Sequence, residues 1–253
     1  MQDKVALVTG STKGIGLAIA RRLAQEGARV VVSSRKEANV SEAVRLLESD
    51  GAPAVLGVVC NVSLDQDRRR LVEQAVERFG RLDILVNNAG VNPHMGDILD
   101  VTEAVWDKLF NANVKAGFML TKLAAPHMEK QGGGSVLFVS SLIGYTSGPG
   151  IAAYGVTKTT LLGLVKALSR SLAPKGIRVN GLAPGIIETR MSQAIVDSMS
   201  KEAPTLYGEP IPLGRLGRPE DCAGAAAFLC SEEDAAYVAG ETMVIAGGLQ
   251  SRL

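Results

Sequence analysis

Tyr154 and Lys158 stand four residues apart in the stretch YGVTK, inside a segment otherwise rich in alanine and leucine. Four residues are slightly more than one helical turn, so a helix over this segment would place the phenol and the ammonium on one face. If that face lines a cleft, the pair indicates acid/base chemistry. If it faces solvent, the two side chains have no such role, and the surrounding elements must decide.

The composition of the chain excludes several classes of function. The 253 residues include 27 Lys and Arg and 26 Asp and Glu, and a net charge of +1 gives no reason to expect a nucleic acid or an anionic membrane as partner. No apolar run reaches the length of a membrane span. Cys60, Cys222 and Cys230 are odd in number and far apart, which favours a reducing compartment over a disulfide framework. With two histidines and no CxxC pair, we expect no metal site.

Short runs of β-branched and apolar residues alternate with longer helical patterns along the chain. Such continuous runs are typical of strands buried on both faces, and we place them at 5–9, 29–33, 54–59, 84–87, 135–140, 178–182 and 242–245. Helical patterns lie between them, among them 16–27, 65–79, 105–128 and 153–172. The order predicts a single α/β domain over residues 1–253, with a doubly wound, seven-stranded parallel sheet covered by helices on both faces. The stretch 191–216 interrupts this rhythm and predicts a substrate lid or mobile loop.

A glycine-rich loop follows the first predicted strand. The stretch TGSTKGIG carries glycines at 10, 14 and 16 and leads directly into a helix. Glycine lets the backbone turn tightly and approach a ligand, and the helix N-terminus offers free N–H groups and a partial positive charge to a phosphate. The spacing differs from the G-x-G-x-x-G fingerprint, but the position between strand and helix favours a dinucleotide.

The end of the second predicted strand indicates which dinucleotide binds. NAD-binding folds usually carry an acidic residue there, which binds the ribose hydroxyls. Ser34 stands at that place, Arg35 follows it, and Lys13 lies within the glycine loop. An arginine can bind a 2′-phosphate through two charge-assisted hydrogen bonds, so two cations without an acid predict NADP(H). The alternative is that both cations are solvated surface residues.

Further motifs follow in order along the chain: NNAG at 87–90, Asn113 in LFNANVKAG, Ser141 thirteen residues before Tyr154, and the proline and glycine of LAPG. Together with TGxxxGxG and YxxxK, they make the chain resemble the short-chain dehydrogenase/reductase family from residue 4 to about 248. The resemblance implies a Rossmann-type fold and a catalytic set of Asn113, Ser141, Tyr154 and Lys158. It also implies an NADP(H) site built from Gly10, Ser11, Thr12, Lys13, Gly14, Ile15, Gly16, Ser34, Arg35, Asn61, Val62, Asn88, Ala89, Gly90, Tyr154, Lys158, Pro184, Gly185, Ile187 and Thr189.

The resemblance implies a role for each member of the catalytic set. Tyr154 would donate a proton in reduction and accept one in oxidation. The ordinary pKa of a phenol is about 10, and the ammonium of Lys158 would lower it toward the working range. Lys158 would also bind the nicotinamide ribose, and Ser141 would orient and polarise the carbonyl oxygen. Asn113 would hold a water on the proton path to Lys158.

Several of these assignments have alternatives. Ser140 competes with Ser141 as the active hydroxyl, and Asn111 competes with Asn113. Asn61 stands where the family usually has an aspartate that holds the adenine amine, and its amide oxygen can accept that bond without charge. The substrate residues predicted from their positions are Ser141, Tyr154, Leu142, Ile143 and His94, with Tyr145, Met191 and Met199 as further candidates. His94 can equally be an ordinary loop residue.

Within the family, the stretches VVVSSRKEANV, VTEAVWDK and EKQGGGSV resemble a branch of peroxisomal NADPH-dependent retinol dehydrogenase/reductases. This implies hydride transfer between NADP(H) and ketones, α-dicarbonyls or retinal, and a homotetramer built on the helices that carry Asn113 and Tyr154. One alternative is a 3-oxoacyl-thioester reductase, for which Arg190, Arg215 and Arg218 would give an acyl carrier protein a basic patch. The other is a non-enzymatic NADP-binding protein.

The last residues, Ser251, Arg252 and Leu253, are close to the S-K-L peroxisomal address. If an import receptor reads them, we expect the protein in the peroxisome, and otherwise in the cytoplasm.

Overall fold

The computed structural model describes residues 1–197, 205–206 and 209–249. Seven parallel strands form one sheet in the order β3-β2-β1-β4-β5-β6-β9. Their bounds are Val5–Thr9 (β1), Arg29–Ser34 (β2), Val55–Val59 (β3), Ile84–Asn87 (β4), Gly134–Val139 (β5), Ile177–Pro184 (β6) and Thr242–Ile245 (β9). The predicted doubly wound, seven-stranded parallel sheet is therefore confirmed, with strand ends that match the prediction or differ from it by one or two residues.

Helices cover both faces of this sheet. Their bounds are Gly14–Gln25 (α1), Glu37–Ser49 (α2), Asp65–Phe79 (α3), Glu103–Phe110 (α4), Ala116–Lys130 (α5), Ile143–Thr146 (α6), Ala152–Leu172 (α7), Gln193–Val196 (α8) and Pro219–Cys230 (α9). The predicted helix over 105–128 is wrong in one respect, because a π-helical turn at Asn111–Lys115 separates α4 from α5. Gly27, Gly80 and Gly176 follow helical segments and have φ between 70° and 92°. This is the left-handed backbone conformation in which many α-helices end.

Successive side chains of the strands point to opposite faces of the sheet and belong to two separate core layers. Val8 and Val32 point to the face covered by α1, α2 and α9, where they join Ile19 and Leu23. Leu7 points to the opposite face with the buried side chains of α3, α5 and α7. Because both faces of each central strand are buried, these strands read as unbroken apolar runs in the sequence.

The predicted lid at 191–216 contains three short elements among the described residues. Helix α8 begins at Gln193, and β7 (Thr205–Leu206) pairs antiparallel with β8 (Glu209–Pro210). Met199 and the Ser251-Arg252-Leu253 ending lie outside the described residues, so the peroxisomal address stays a prediction. Within the ranges that are described, no helix combines the length and apolarity needed to cross a membrane.

Candidate active site

The carboxyl ends of the parallel strands meet at one edge of the sheet and form a cleft there. The chain builds the sheet outward from β1 in one direction through β2 and in the other through β4, so the strand order reverses between β1 and β4. Ligands of open α/β sheets bind at such a switch point. The cleft has a volume of about 1620 Å³ and is lined by every predicted cofactor residue except Ser11.

The glycine loop forms one wall of this cleft through close backbone contacts. The side-chain amide of Asn88 donates to the carbonyls of Thr9 (2.9 Å) and Gly10 (3.1 Å), which fixes the loop to the end of β4. A Cβ at Gly16 would lie 2.4 Å from that amide nitrogen and 2.5 Å from the Gly10 carbonyl oxygen. Helix α1 begins beside the loop without a side-chain cap, so its first amides stay available for an anion.

We expect Gly16→Ala to reduce dinucleotide binding at least about tenfold and to cost about 1–3 kcal/mol of stability, because the new methyl group has to displace the Asn88 amide or the loop backbone. Binding is measured by quenching or enhancement of NADPH fluorescence, and stability by urea denaturation. The control is Gly163→Ala on α7, where, among the described residues and apart from the backbone of its own helix, no atom lies within 4 Å of the new Cβ. Equal NADPH affinity in both variants would contradict the proposed fit.

Ser11 does not line the cleft, which corrects its predicted place in the cofactor site. Its hydroxyl donates to the carbonyl of Val8 (2.6 Å) and accepts from the N–H of Ser33 (3.0 Å). Ser11 is fully buried and serves to join the ends of β1 and β2.

The end of the cleft beside β2 is rich in cations. Lys13 and Arg35 are exposed there, and neither has a carboxylate partner in the described part of the chain. Lys36 and Asn39 also line this end, although the sequence analysis did not single them out. Helix α2 begins at Glu37. Lys36 therefore lies in the turn between β2 and α2 that also holds Arg35, and Asn39 lies in the first turn of α2.

Asn61 lines the cleft just after β3. Its Oδ1 accepts from the N–H of Ser63 (3.2 Å), and its own N–H donates to Asp67 (2.8 Å). The side-chain amide is therefore held in one orientation by the next turn, with its Nδ2 and a second oxygen lone pair left over. The predicted contact with the adenine amine is compatible with this geometry and stays a prediction.

Ser141, Tyr154 and Lys158 meet on the cleft wall formed by the end of β5 and the start of α7. The Ser141 hydroxyl hydrogen-bonds the side chain of Tyr154. The Nζ atom of Lys158 donates to the carbonyl of Val139 (2.8 Å) and lies 5.4 Å from the centre of the Tyr154 ring. The i, i+4 pair thus faces the cleft, and Lys158 is only 4% exposed.

The pKa values of Tyr154 and Lys158 differ from the expectation. Burial raises the pKa of Tyr154 to about 12, and the hydrogen bond from Ser141 acts in the opposite direction. Burial lowers the pKa of Lys158 to about 8. The expectation that Lys158 lowers the tyrosine pKa is therefore corrected, because the ammonium lies over the ring face and binds the Val139 carbonyl instead of the phenol oxygen.

Asn113 lies in the π-helical turn, beside the cleft, and all its side-chain protons are in use. Its Nδ2 donates to the carbonyl of Val91 (3.0 Å) and to the hydroxyl of Thr157 (3.0 Å), and its Oδ1 accepts from the N–H of Val91 (2.8 Å). Any water on the predicted proton path would have to use the second lone pair of Oδ1 or a main-chain carbonyl. π-Helical turns are frequently found at functional sites, and asparagine is a weak helix former, which was the sequence signal at this position.

Ser140 and Asn111, the alternatives to Ser141 and Asn113, make contacts that distinguish them from the residues first assigned. The hydroxyl of Ser140 is buried and donates to the main-chain carbonyl of Lys158 (2.8 Å), so it braces the helix and does not face the cleft chemistry. Asn111 lines the cleft, but it does not share the hydrogen bonds that connect Asn113 to Val91 and Thr157. The geometry favours Ser141 and Asn113.

The part of the cleft beyond Tyr154 is lined mainly by apolar side chains. Leu142, Ile143, Ile151 and Leu206 are buried there in one cluster, and the exposed Met191 joins the lining. His94 is not among the lining residues, and its predicted substrate role stays a prediction. Its ring Nε2 lies 3.0 Å from the carbonyl of Asp97 within its own loop.

The further candidate Tyr145 also lies outside the lining. Across the described ranges, no three or more His, Cys, Asp or Glu side chains come together in a way that could hold a metal ion.

The comparisons with known proteins define the class. A family model described as enoyl-(acyl carrier protein) reductase matches residues 10–250. The chain belongs to the short-chain dehydrogenase/reductase family, and it is an oxidoreductase of that family.

Particular relatives are similar over the whole chain. The human dehydrogenase/reductase SDR family member 4 is 55% identical, with all of this chain and 90% of the human protein aligned, and the Caenorhabditis elegans protein of the same name is 52% identical, with 97% of its length aligned. Among solved structures, a 7α-hydroxysteroid dehydrogenase in complex with NADH and 7-oxo glycochenodeoxycholic acid is 33% identical, with a TM-score of 0.88 over 100% of this chain and 96% of that one. The 3-ketoacyl-(acyl-carrier-protein) reductase of Brucella melitensis in complex with NADH is also 33% identical, with a TM-score of 0.87 over 98% of each chain.

Proposed function

We propose that this protein is an NADPH-dependent carbonyl reductase and alcohol dehydrogenase that acts on apolar ketones, α-dicarbonyls or retinal. The observation that carries the proposal is the contact of Ser141, Tyr154 and Lys158 on the wall of a cleft whose far end presents Lys13 and Arg35. A protein that only bound NADP(H) would have no need of the phenol of Tyr154 in that cleft.

The cleft has the features that a dinucleotide needs. The glycine loop and the uncapped start of α1 would hold the phosphates, and Lys13 with Arg35 would hold the 2′-phosphate of NADPH. Lys158 would bind the nicotinamide ribose. NADPH bound there would supply the hydride that reduces the carbonyl carbon.

Tyr154 and Ser141 would act on the carbonyl oxygen of the substrate. Because burial raises the pKa of Tyr154 to about 12, the phenol is protonated at neutral pH and is a proton donor ready for reduction. Ser141 would donate a hydrogen bond to the same oxygen and thereby stabilise the charge that develops on it. In oxidation the roles reverse, and Tyr154 would accept the proton of the alcohol.

The apolar lining beyond Tyr154 supports hydrophobic carbonyl substrates. Leu142, Ile143 and Ile151 are each less than a tenth exposed and offer no hydrogen bond from their side chains to a charged substrate. Proteins with the name of the human relative share 50 to 56% of their residues with this chain, which supports assigning it to the same branch.

A 3-oxoacyl-thioester reductase is the alternative with the same catalytic set, and a solved neighbour has a name of that kind. Its predicted basic patch is weakened by the contact of Arg215 with Asp221, whose oxygens lie 2.6 and 3.0 Å from the guanidinium. This pair lowers the pKa of Asp221 to about 2, so both charges are present and cancel.

The test is the oxidation of NADPH and of NADH with an α-diketone, an aromatic ketone, retinal and an acetoacetyl thioester. We expect turnover of the ketones and retinal with strong preference for NADPH. Turnover of the thioester alone would shift the proposal to the alternative. Binding of NADPH without turnover of any substrate would support a non-enzymatic role.

Arg35→Ala tests the choice of cofactor. We expect the dissociation constant for NADPH to rise about 10- to 100-fold and that for NADH to change less than about threefold, because only NADPH carries the 2′-phosphate that charge-assisted bonds would hold. Fluorescence titration with both cofactors measures this. Arg45→Ala is the matched control, since Arg45 is exposed on α2 and does not line the cleft. An equal loss for NADPH and NADH would contradict the assignment.

We also propose a homotetramer built on the face of α4, α5 and α7. Trp106, Phe118 and Val156 lie on these helices and are 36%, 40% and 37% exposed, which is unusual for large apolar side chains on neighbouring elements. Light scattering after size exclusion measures the assembly, and a monomer at micromolar concentration would overturn it.

A further inference from the structure

The hydroxyl of Thr157 connects two elements of the site although it does not line the cleft. Thr157 is completely buried on α7, between Tyr154 and Lys158 in the sequence. Its Oγ1 donates to the main-chain carbonyl of Tyr154 (2.7 Å) and accepts from Nδ2 of Asn113 (3.0 Å). The Tyr154 carbonyl therefore accepts the single proton of this hydroxyl, and the Asn113 amide donates to one of its oxygen lone pairs.

Within the described ranges, the hydrogen bond to Thr157 is the one that joins the side chain of Asn113 to α7, and the other hydrogen bonds of that side chain go to Val91 after β4. The same group of atoms borders the cleft. A Cβ at Gly90 would lie 3.4 Å from Oδ1 of Asn113 and 3.6 Å from Nζ of Lys158. A shift of the π-helical turn relative to α7 would thus change the surroundings of Lys158 directly.

We propose that Thr157 is a positioning residue, which fixes the π-helical turn to α7 and thereby sets the placement of Asn113 relative to Tyr154 and Lys158. This inference rests on the proposed reductase function. Without the hydroxyl, one proton of the buried Asn113 amide has no partner, and the amide has to turn toward another acceptor. Because Val91 is bonded to both ends of that amide, the loop after β4 moves with it.

The matched substitutions are Thr157→Val, which keeps the shape and removes the hydroxyl, and Thr157→Ser, which keeps the hydroxyl. We expect Thr157→Val to lower kcat about 10- to 100-fold, as small misplacements of a catalytic group do, while the KM for NADPH changes less than about twofold. We also expect a shift in the pH at which kcat is half-maximal. Thr157→Ser should retain most of kcat and the pH profile of the wild type.

The control is Thr160→Val on the same helix, since the exposed Thr160 hydroxyl donates only to the Val156 carbonyl (2.9 Å). If Thr157→Val and Thr160→Val have equal kcat and pH profiles, the inference is wrong. It is also wrong if Thr157→Ser fails to restore kcat and activity falls only in proportion to the loss of folded protein.

A second readout does not depend on turnover. Amide hydrogen exchange at Val91 in the cofactor-free protein should be at least about tenfold faster in Thr157→Val than in the wild type, because the N–H of Val91 donates to Asn113. If the wild type reduces no carbonyl, the proposed function fails, and this exchange rate still decides the role of Thr157. Unchanged exchange would overturn the positioning role.

Discussion

Replacement of Tyr154 by phenylalanine is expected to lower kcat by about 10²- to 10⁴-fold, the usual contribution of a positioned acid or base. The ring stays in place and only the hydroxyl that hydrogen-bonds Ser141 is lost. Since the lining of the cofactor end of the cleft is unchanged, the dissociation constant for NADPH should stay within about threefold of the wild-type value. Steady-state kinetics and fluorescence titration on the same preparation measure both quantities.

Tyr237→Phe is the matched control for this experiment, because the Tyr237 side chain is fully exposed and does not line the cleft. It should behave as the wild type in both measurements. Normal turnover by Tyr154→Phe would show that another group supplies the proton. A parallel loss of NADPH binding would mean that the phenol serves the cofactor and not the carbonyl.

Replacement of Lys158 by methionine is expected to abolish turnover and yet to stabilise the fold at neutral pH. The pKa of Lys158 is lowered by burial to about 8, while an unfolded lysine titrates at about 10.4. Below pH 8 the side chain is charged in both states, so folding includes the full cost of burying the ammonium. That cost is at most about 3 kcal/mol by the size of the pKa shift, and the hydrogen bond to the Val139 carbonyl, about 1.5–3 kcal/mol, offsets part of it.

The way in which the free energy of unfolding depends on pH determines the direction of this effect. Between about pH 8 and pH 10.4 the unfolded chain binds the proton more often than the folded chain, so the stability contribution of Lys158 rises with pH in that window. Methionine removes this slope, so Lys158→Met should exceed the wild type in stability at pH 7 and lose the advantage toward pH 10.

Urea denaturation at pH 7 and pH 9.5 measures the effect. The control is Lys166→Met, on the exposed side of the same helix. A variant less stable than the wild type at pH 7, with the control unchanged, would mean that the ammonium is a net stabilising group and that its burial has little cost.

The sheet was predictable from the sequence because its central strands are buried on both faces. Val5–Thr9 and Ile84–Asn87 read as short apolar runs and form strands over those same residues. The ends of other strands were less certain, since pairing with a neighbour decides where a strand stops. Pro184, for example, still belongs to β6 because its register is matched by Ile245.

The candidate site was predictable where the backbone carries the function, and less so where side-chain direction matters. The glycine loop lines the cleft as expected, but Ser11 within it turns inward to Val8 and Ser33. His94 follows NNAGVNP, yet its loop folds the ring back onto Asp97. Such directions depend on the path that the backbone takes through each loop, which spacing along the chain does not contain.

The π-helical turn at Asn111–Lys115 also sets the helical phase between α4 and α5. In an uninterrupted α-helix, Trp106 and Phe118 would point about 120° apart, because twelve residues are three turns and a third. A π-helical turn absorbs one extra residue, which reduces this angle to about 20° and brings the two exposed aromatic side chains onto one stripe. The same extra residue that buries Asn113 therefore aligns the outer surface. Deletion of a single residue between 111 and 115 would therefore put the buried face and the outer face out of phase together.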